Sequence, residues 1–444
     1  MSPSAEGLGS RVRHLRRRLL VAALCLLSLA DSRPAPGQLS GTEFQANTYT
    51  TGDQWRPAVA ADSAGNFVMV WESVYQDGDS DGVFGQRFDA TGVPVGTEFQ
   101  VNSYTTGAQY GSAVASDGSG NFLVVWHNQI HNVPLYSVAQ RFDALGVPAG
   151  DEFRLSAYTT ESETNPAVAA DGLGNFIVVW SASDASMVGV YGRRFTGSGS
   201  PLGSEFQVNT YTTSVQGPPL VAADAAGNFV VVWSSYGQDG ASYGVFGQRF
   251  DSSGDPAGGE FQVNSYTTWW QVATSVAMNS AGSFVVTWES QLQDGSESGV
   301  FARRYSPAGV ALGDEFQVNS YTTGLQQRAS VAVGDSGEFV VAWQTFDSPA
   351  QFDSDIVAQR FDAAGAREGS TFRVNSYTTA FQDYPAVVTT PSGTFVVAWG
   401  GPGDGLFSGV HGQRLAALVF ADGFIEGAVC GWSASQGSSD ACPP

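Results

Sequence analysis

The chain has 444 residues, 42% of them apolar, with 28 Phe, 11 Trp and no Lys, so it can build a large core and is too aromatic to be disordered. Its 20 Arg stand against 42 Asp and Glu, a net charge of −22. Such a surface repels phosphate backbones and excludes nucleic acid as a partner, because that affinity rests largely on neutralising phosphates.

In chain order, residues 1–37 read as a secretory signal and linker. Arg11, Arg13, Arg16, Arg17 and Arg18 form a charged start. Leu19 to Ala30 is apolar but too short to span a bilayer, and DSRPAPGQ follows. Cleavage would remove six Arg with Glu6 and Asp31, leaving 14 Arg against 40 acids. The expected location is extracellular, at the cell surface or in the periplasm. A monomer without a membrane span is expected.

From residue 43 onward one line recurs. EFQVNSYTT stands at 98–106, 260–268 and 315–323, with near-copies at 43–51, 152–160, 205–213 and 371–379. The Trp ending each FVVVW-like run (Trp71, Trp126, Trp180, Trp233, Trp288, Trp343, Trp399) recurs at steps of 55, 54, 53, 55, 55 and 56. Seven units of this length mark a repeat architecture. Each unit holds four strand candidates separated by Asp/Gly turns: a PAVAAD-like run, NFVVVW, GVFGQRF and EFQVN. The second is apolar on both faces, so it needs a sheet in front and another behind. Sheets stacked around an axis supply both. The predicted fold is therefore an all-β, seven-bladed β-propeller over 38–416, with four antiparallel strands per blade.

The small Ala/Val/Ser side chains of the first strand suit the crowded axis, which places EFQVN outermost. The chain opens on an outermost strand (43–47) and ends on a third strand (409–415). Pairing these two closes the ring and leaves no free radial edge. The P-x-V-A-x-D-x-x-G-N-F-V-V-V-W register resembles NHL-type repeats in seven-bladed propellers of secreted bacterial proteins. The GQRFDAxGxPxG half departs from them, so no ligand preference carries over. In the tail, 417–444, FADGFIEGAVCGW (420–432) resembles the short D-G-F-E-S-G…W endings of some secreted bacterial proteins. Cys430 and Cys442 would pair as a disulfide in an oxidising compartment.

Function is expected on the face carrying the longer, more variable loops. Five residues after each repeat Tyr come Gln54, Gln109, Glu163, Gln216, Gln271, Gln326 and Gln382. These could ring the channel mouth as a polar funnel, or bridge adjacent blades. Trp269 and Trp270 break the repeat and offer a stacking platform for a sugar, or pack between blades. Asp77, Asp79 and Asp81 space their carboxylates like the opening of a calcium loop, although Phe88 stands where the closing Glu belongs. His127 and His131 have a spacing that binds zinc on helices, but here they fall between strands and lack a third ligand. No nucleophile motif, phosphate loop or zinc signature appears. With seven regular units and no irregular polar cluster in view, the leading expectation is a non-catalytic binding or adhesion scaffold for a glycan or an extracellular protein. The alternative is a carbohydrate-active hydrolase or lyase with acidic residues at the channel mouth.

Overall fold

A computed structural model of the protein describes residues 39–157, 162–183, 187–346, 353–402 and 408–417. The expected signal and the tail with Cys430 and Cys442 lie outside the described residues. Strand β1 is Leu39–Gln45, β2 Gln54–Ala61, β3 Phe67–Val74, β4 Asp81–Phe88 and β5 Pro94–Gln100. β2 to β5 form the first blade, antiparallel and in chain order. Five further four-stranded sheets repeat that order. The seventh combines Asp383–Thr389, Phe395–Pro402 and Ser408–Leu415 with β1 on the outside. The described residues contain no helix. β2 contacts the first strand of blade two and the first strand of blade seven, so the inner strands close around an axis.

Hydrophobic burial explains the stacking. Phe67, Val68, Met69, Val70 and Trp71 of β3 are all buried, and the seven repeat Trp are 0–1% exposed. Each such Trp contributes roughly 4–6 kcal/mol of gross burial free energy. The core lies between blades: Val68 and Val70 of blade one share a cluster with Phe122, Val124 and Trp126 of blade two.

The ring closes as the sequence predicts. Leu39 pairs with Leu415 and Phe44 with Gly412. Ala46 N donates to Val410 O at 2.7 Å, and Val410 N donates to Asn47 Oδ1 at 2.8 Å. The pairing starts at Leu39, four residues earlier than expected.

Glu, Phe and Asn of the recurrent line join one blade to the next. Glu98 Oε2 accepts from Thr48 N at 2.5 Å, Glu315 Oε2 from Ser265 N at 2.5 Å, and Glu43 Oε2 from Ser376 N at 2.6 Å across the closure. Phe99 lies 6.1 Å from Phe122 and 5.4 Å from Phe142 in the next blade. That ring covers Gly85, where a Cβ would stand 2.9 Å from Phe99 Cζ. Asn102 accepts from Val83 N at 2.8 Å and donates to Gln109 Oε1 of the next blade at 3.1 Å. The repeated Arg of the third strand is structural too: Arg87 Nη1 donates to Ala144 O at 2.7 Å, and Arg414 Nη1 to Thr91 O at 2.8 Å. Asp62 caps its turn by accepting from Ala64 N and Asn66 N, both at 2.9 Å.

Candidate active site

Two residues beyond the repeated Gln, the first strand of each blade reaches a slot that the repeat does not fix. It holds Arg56, Gly111, Asn165, Pro218, Ala273, Arg328 and Tyr384 in blades one to seven. In five blades this slot has left-handed backbone: φ is +48° at Arg56, +66° at Gly111, +53° at Asn165, +54° at Arg328 and +50° at Tyr384. The register of the first strand shifts there as well. A non-Gly residue in such a conformation costs on the order of 1–3 kcal/mol and is held by its surroundings. The bulge aims these side chains into a cavity of about 530 Å³ lined by all seven inner strands. Glu72, His127 and Glu289, each directly after its buried Trp, join them in the lining.

The polar side chains form a continuous arc across blades five, six, seven, one and two. Glu289 Oε1 accepts from Arg328 N at 2.5 Å. Arg328 Nη1 lies 3.6 Å from Asp383 Oδ2 and donates to Gln344 Oε1 at 3.3 Å. Its guanidinium sits 3.9 Å from the centre of the Tyr384 ring, and that of Arg56 sits 5.1 Å from it. Arg56 Nη2 donates to Tyr384 Oη at 3.4 Å, and Arg56 Nη1 lies 3.7 Å from Glu72 Oε2. Glu72 Oε1 accepts from Gly111 N at 2.8 Å. The opposite wall, from blades three and four, is Pro166, Pro218, Pro219 and Leu220 beside Asn165. The mouth is therefore lopsided: charge on one wall, proline on the other.

Burial tunes the titrating groups. The Glu72 side chain is 1% exposed, and burial raises its pKa to about 7 against the opposing pull of Gly111 N and Arg56. Asp383 is raised to about 6 by burial, against Arg328 and Arg56. Burial also raises Glu289. His127 is lowered to about 4 by burial and then by the charge of Arg56, so its ring is neutral at pH 7. Its Nδ1 is buried without a hydrogen-bond partner, and Tyr110 meets the ring edge-on at 4.8 Å.

Gly111 allows the close approach to that ring. A Cβ there would stand 2.2 Å from His127 Nε2, on backbone that already favours Gly. Gly111→Ala is expected to destabilise the protein by about 2 kcal/mol, read as a lower urea midpoint.

The sequence-predicted residues fall elsewhere. Gln54, Gln109, Glu163, Gln216, Gln271, Gln326 and Gln382 are 0–3% exposed and sit at the joints between blades. Asn47 Nδ2 donates to Gln54 Oε1 at 3.0 Å and Ser137 N to Glu163 Oε2 at 2.9 Å across blades, while within blade six Trp343 Nε1 donates to Gln326 Oε1 at 2.9 Å. Trp269 is 54% exposed with φ +67°, beside a half-buried Trp270. Asp77 Oδ2 accepts from Asn102 Nδ2, and Asp79 Oδ2 from Gly107 N, each at 3.0 Å. Burial raises the pKa of Asp81. Among the described residues no group of three His, Cys, Asp or Glu is arranged to hold a metal ion. His127 is buried and His131 exposed, so the pair does not converge. No described helix is long and apolar enough to cross a membrane.

No family profile matches the chain, and no curated protein matches it. Solved structures of related shape include a protein of unknown function from Dyadobacter fermentans. It has 10% identity and a TM-score of 0.49, with 86% of this chain and 100% of that one covered. An α-L-arabinanase from Penicillium chrysogenum has 12% identity and a TM-score of 0.47, with coverage of 85% and 99%. A puromycin hydrolase has 14% identity and a TM-score of 0.49, with coverage of 79% and 50%, so this chain spans half its length.

The expectation of a non-catalytic scaffold is corrected. It rested on the lack of an irregular polar cluster, and the channel mouth holds one.

Proposed function

We propose that the protein is a carbohydrate-active hydrolase that cleaves a glycosidic bond at the charged wall of the channel mouth. The observation that carries this reading is Glu72, a carboxyl group buried in the wall of an open cavity, where burial pushes its pKa up to about 7. Glycoside hydrolysis needs one carboxyl group protonated while another is ionised. Glu72 fills the first role and gives its proton to the departing glycosidic oxygen. Asp383, titrating at about 6 beside Arg328, fills the second and takes a proton from the attacking water. Water supplies the oxygen that bonds to the anomeric carbon as the bond to the leaving sugar breaks. Glu289 holds the Arg328 backbone through its hydrogen bond. The proline wall opposite supplies an apolar surface for the sugar face. The charged start and apolar run of residues 1–37 support an extracytoplasmic site of action.

The two titrations give the pH dependence its sign. Asp383 must be ionised, so activity rises with pH through about 6. Glu72 must be protonated, so activity falls as pH rises through about 7. A bell-shaped kcat/KM profile with its maximum between those limbs is expected, measured as release of reducing ends from a panel of glycans. Asp383→Asn is expected to remove the acid limb. A flat profile across this range would refute the assignment.

A further inference from the structure

We propose that Arg56 and Arg328 together form a subsite for a carboxylate carried by the substrate, so that the glycan cleaved is an acidic one containing uronic acid. The substrate class rests on the hydrolase reading above; the anion subsite does not.

The two guanidiniums converge for no structural reason of the frame. The frame arginines, such as Arg87 and Arg414, bind carbonyls of the next blade. Arg56 and Arg328 instead occupy the variable slot, on left-handed backbone, and both lie over the one Tyr384 ring. The ring-centre distances of 5.1 and 3.9 Å bound how far apart the two cations can be. Two like charges at that range repel, and an anion beside both relieves the repulsion.

Neither guanidinium is fully used. A guanidinium has five N–H donors. Arg56 spends one on a 3.4 Å bond to Tyr384 Oη, and its Nε is buried with no hydrogen-bond partner. Its contact with Glu72 is 3.7 Å, and that of Arg328 with Asp383 is 3.6 Å, both longer than a hydrogen bond. The side chains remain 39% and 36% exposed toward the cavity. Of the neighbouring carboxyls, burial holds Glu72 and Glu289 toward their neutral forms, while Asp383, the proposed base, is ionised beside Arg328 near pH 6.5. One carboxylate therefore compensates the two cations incompletely in weak acid. On a protein of net charge −22 this is a local positive site. The planar fork of Arg matches a carboxylate in geometry.

The test compares oligogalacturonate with its methyl ester, which keeps the sugar and removes the charge. Binding is measured by calorimetry on the Glu72→Gln protein at pH 6.5, where turnover is slowed by roughly 10²–10⁴-fold. The acid is expected to bind at least about tenfold more tightly than the ester, and Arg56→Gln or Arg328→Gln added to that background is expected to abolish the preference. The ester comparison needs no Arg variant, so misfolding of either one leaves the result intact. Equal affinity for acid and ester overturns the subsite. So does wild-type cleavage of a neutral glycan with no preference for the acidic one, although the hydrolase reading then stands. Tight binding of the acid with no cleavage by wild type upholds the subsite and removes the hydrolase reading. Release of an unsaturated uronate does the same, and points to elimination in place of hydrolysis.

Discussion

Glu72→Gln is expected to lower kcat by roughly 10²–10⁴-fold, the usual range for losing a general acid, while making the protein more stable above pH 7. Few catalytic substitutions move both quantities in a sign fixed in advance. The amide still accepts from Gly111 N, so the local fold is kept. It cannot give a proton, so the leaving sugar departs unassisted. The stability change follows from the titration. In the unfolded chain the carboxyl ionises near 4.5, and in the folded protein near 7. Below 4.5 it is neutral in both states and its burial carries no charge penalty. Between these values the unfolded state holds fewer protons, so stability falls as pH rises, and the loss is complete above about 7. The size is about 3 kcal/mol at 1.36 kcal/mol per pKa unit. Thermal melts of both proteins at pH 4 and pH 8 test this: the curves should agree at the lower pH and separate at the higher one. A melt unchanged at pH 8 would show that Glu72 is not buried as described.

Deleting residues 39–47 is expected to cost at least about 5 kcal/mol, which is most of the stability of an ordinary domain. Trimming a terminus is usually tolerated, so a large loss is informative. The deletion strips the outer strand from blade seven and leaves the edge of Ser408–Leu415 unpaired. It removes Phe44, which covers the stacked Phe67 and Phe88 of blade one at 6.3 and 5.1 Å. It also breaks the Glu43 bond to Ser376 and the Asn47 bond to Gln54. Loss of one Phe contact surface alone costs about 3–5 kcal/mol. The expected readout is aggregation, or a broad melt at much lower temperature. A sharp transition at the original temperature would mean that the ring does not depend on this strand.

The frame was legible because its joints repeat. Phe99, Asn102, Gln109 and Arg87 each have six equivalents or close to it, and a period of about fifty-five residues exposes them without coordinates. Even the closure could be read, because an extra outer strand at one end matched a missing one at the other. The site was hidden by the same logic. The slot where the blades agree is the conspicuous one, and agreement marks a joint: Gln54 and its equivalents lie buried between blades. The channel is lined two residues further on, where the seven blades carry Arg56, Gly111, Asn165, Pro218, Ala273, Arg328 and Tyr384. Glu72, His127 and Glu289 share a second such slot, directly after the Trp. Its chemistry runs Glu, His, Ser, Ser, Glu, Gln and Gly around the ring. Unlike residues at equivalent positions were the available signal. What the sequence could not supply is the left-handed turn at Arg56, Arg328 and Tyr384, which brings three blades to one point.

The uniform joints also bear on where this chain could begin. Glu43 to Ser376 makes the same link across the gap between the ends that Glu98 to Thr48 makes within the chain. The closing seam is thus of the same kind as the internal ones, six of the seven carrying this Glu and the seam between blades five and six carrying Thr371 in its place, and the position of the termini is a choice the circle does not impose. A gene reopened between blades three and four, behind the prolines and far from the arginines, should yield the same wheel with its charged sector whole. Cutting instead between blades six and seven would put new ends between Arg328 and Tyr384, and should spare the wheel while blunting what it does.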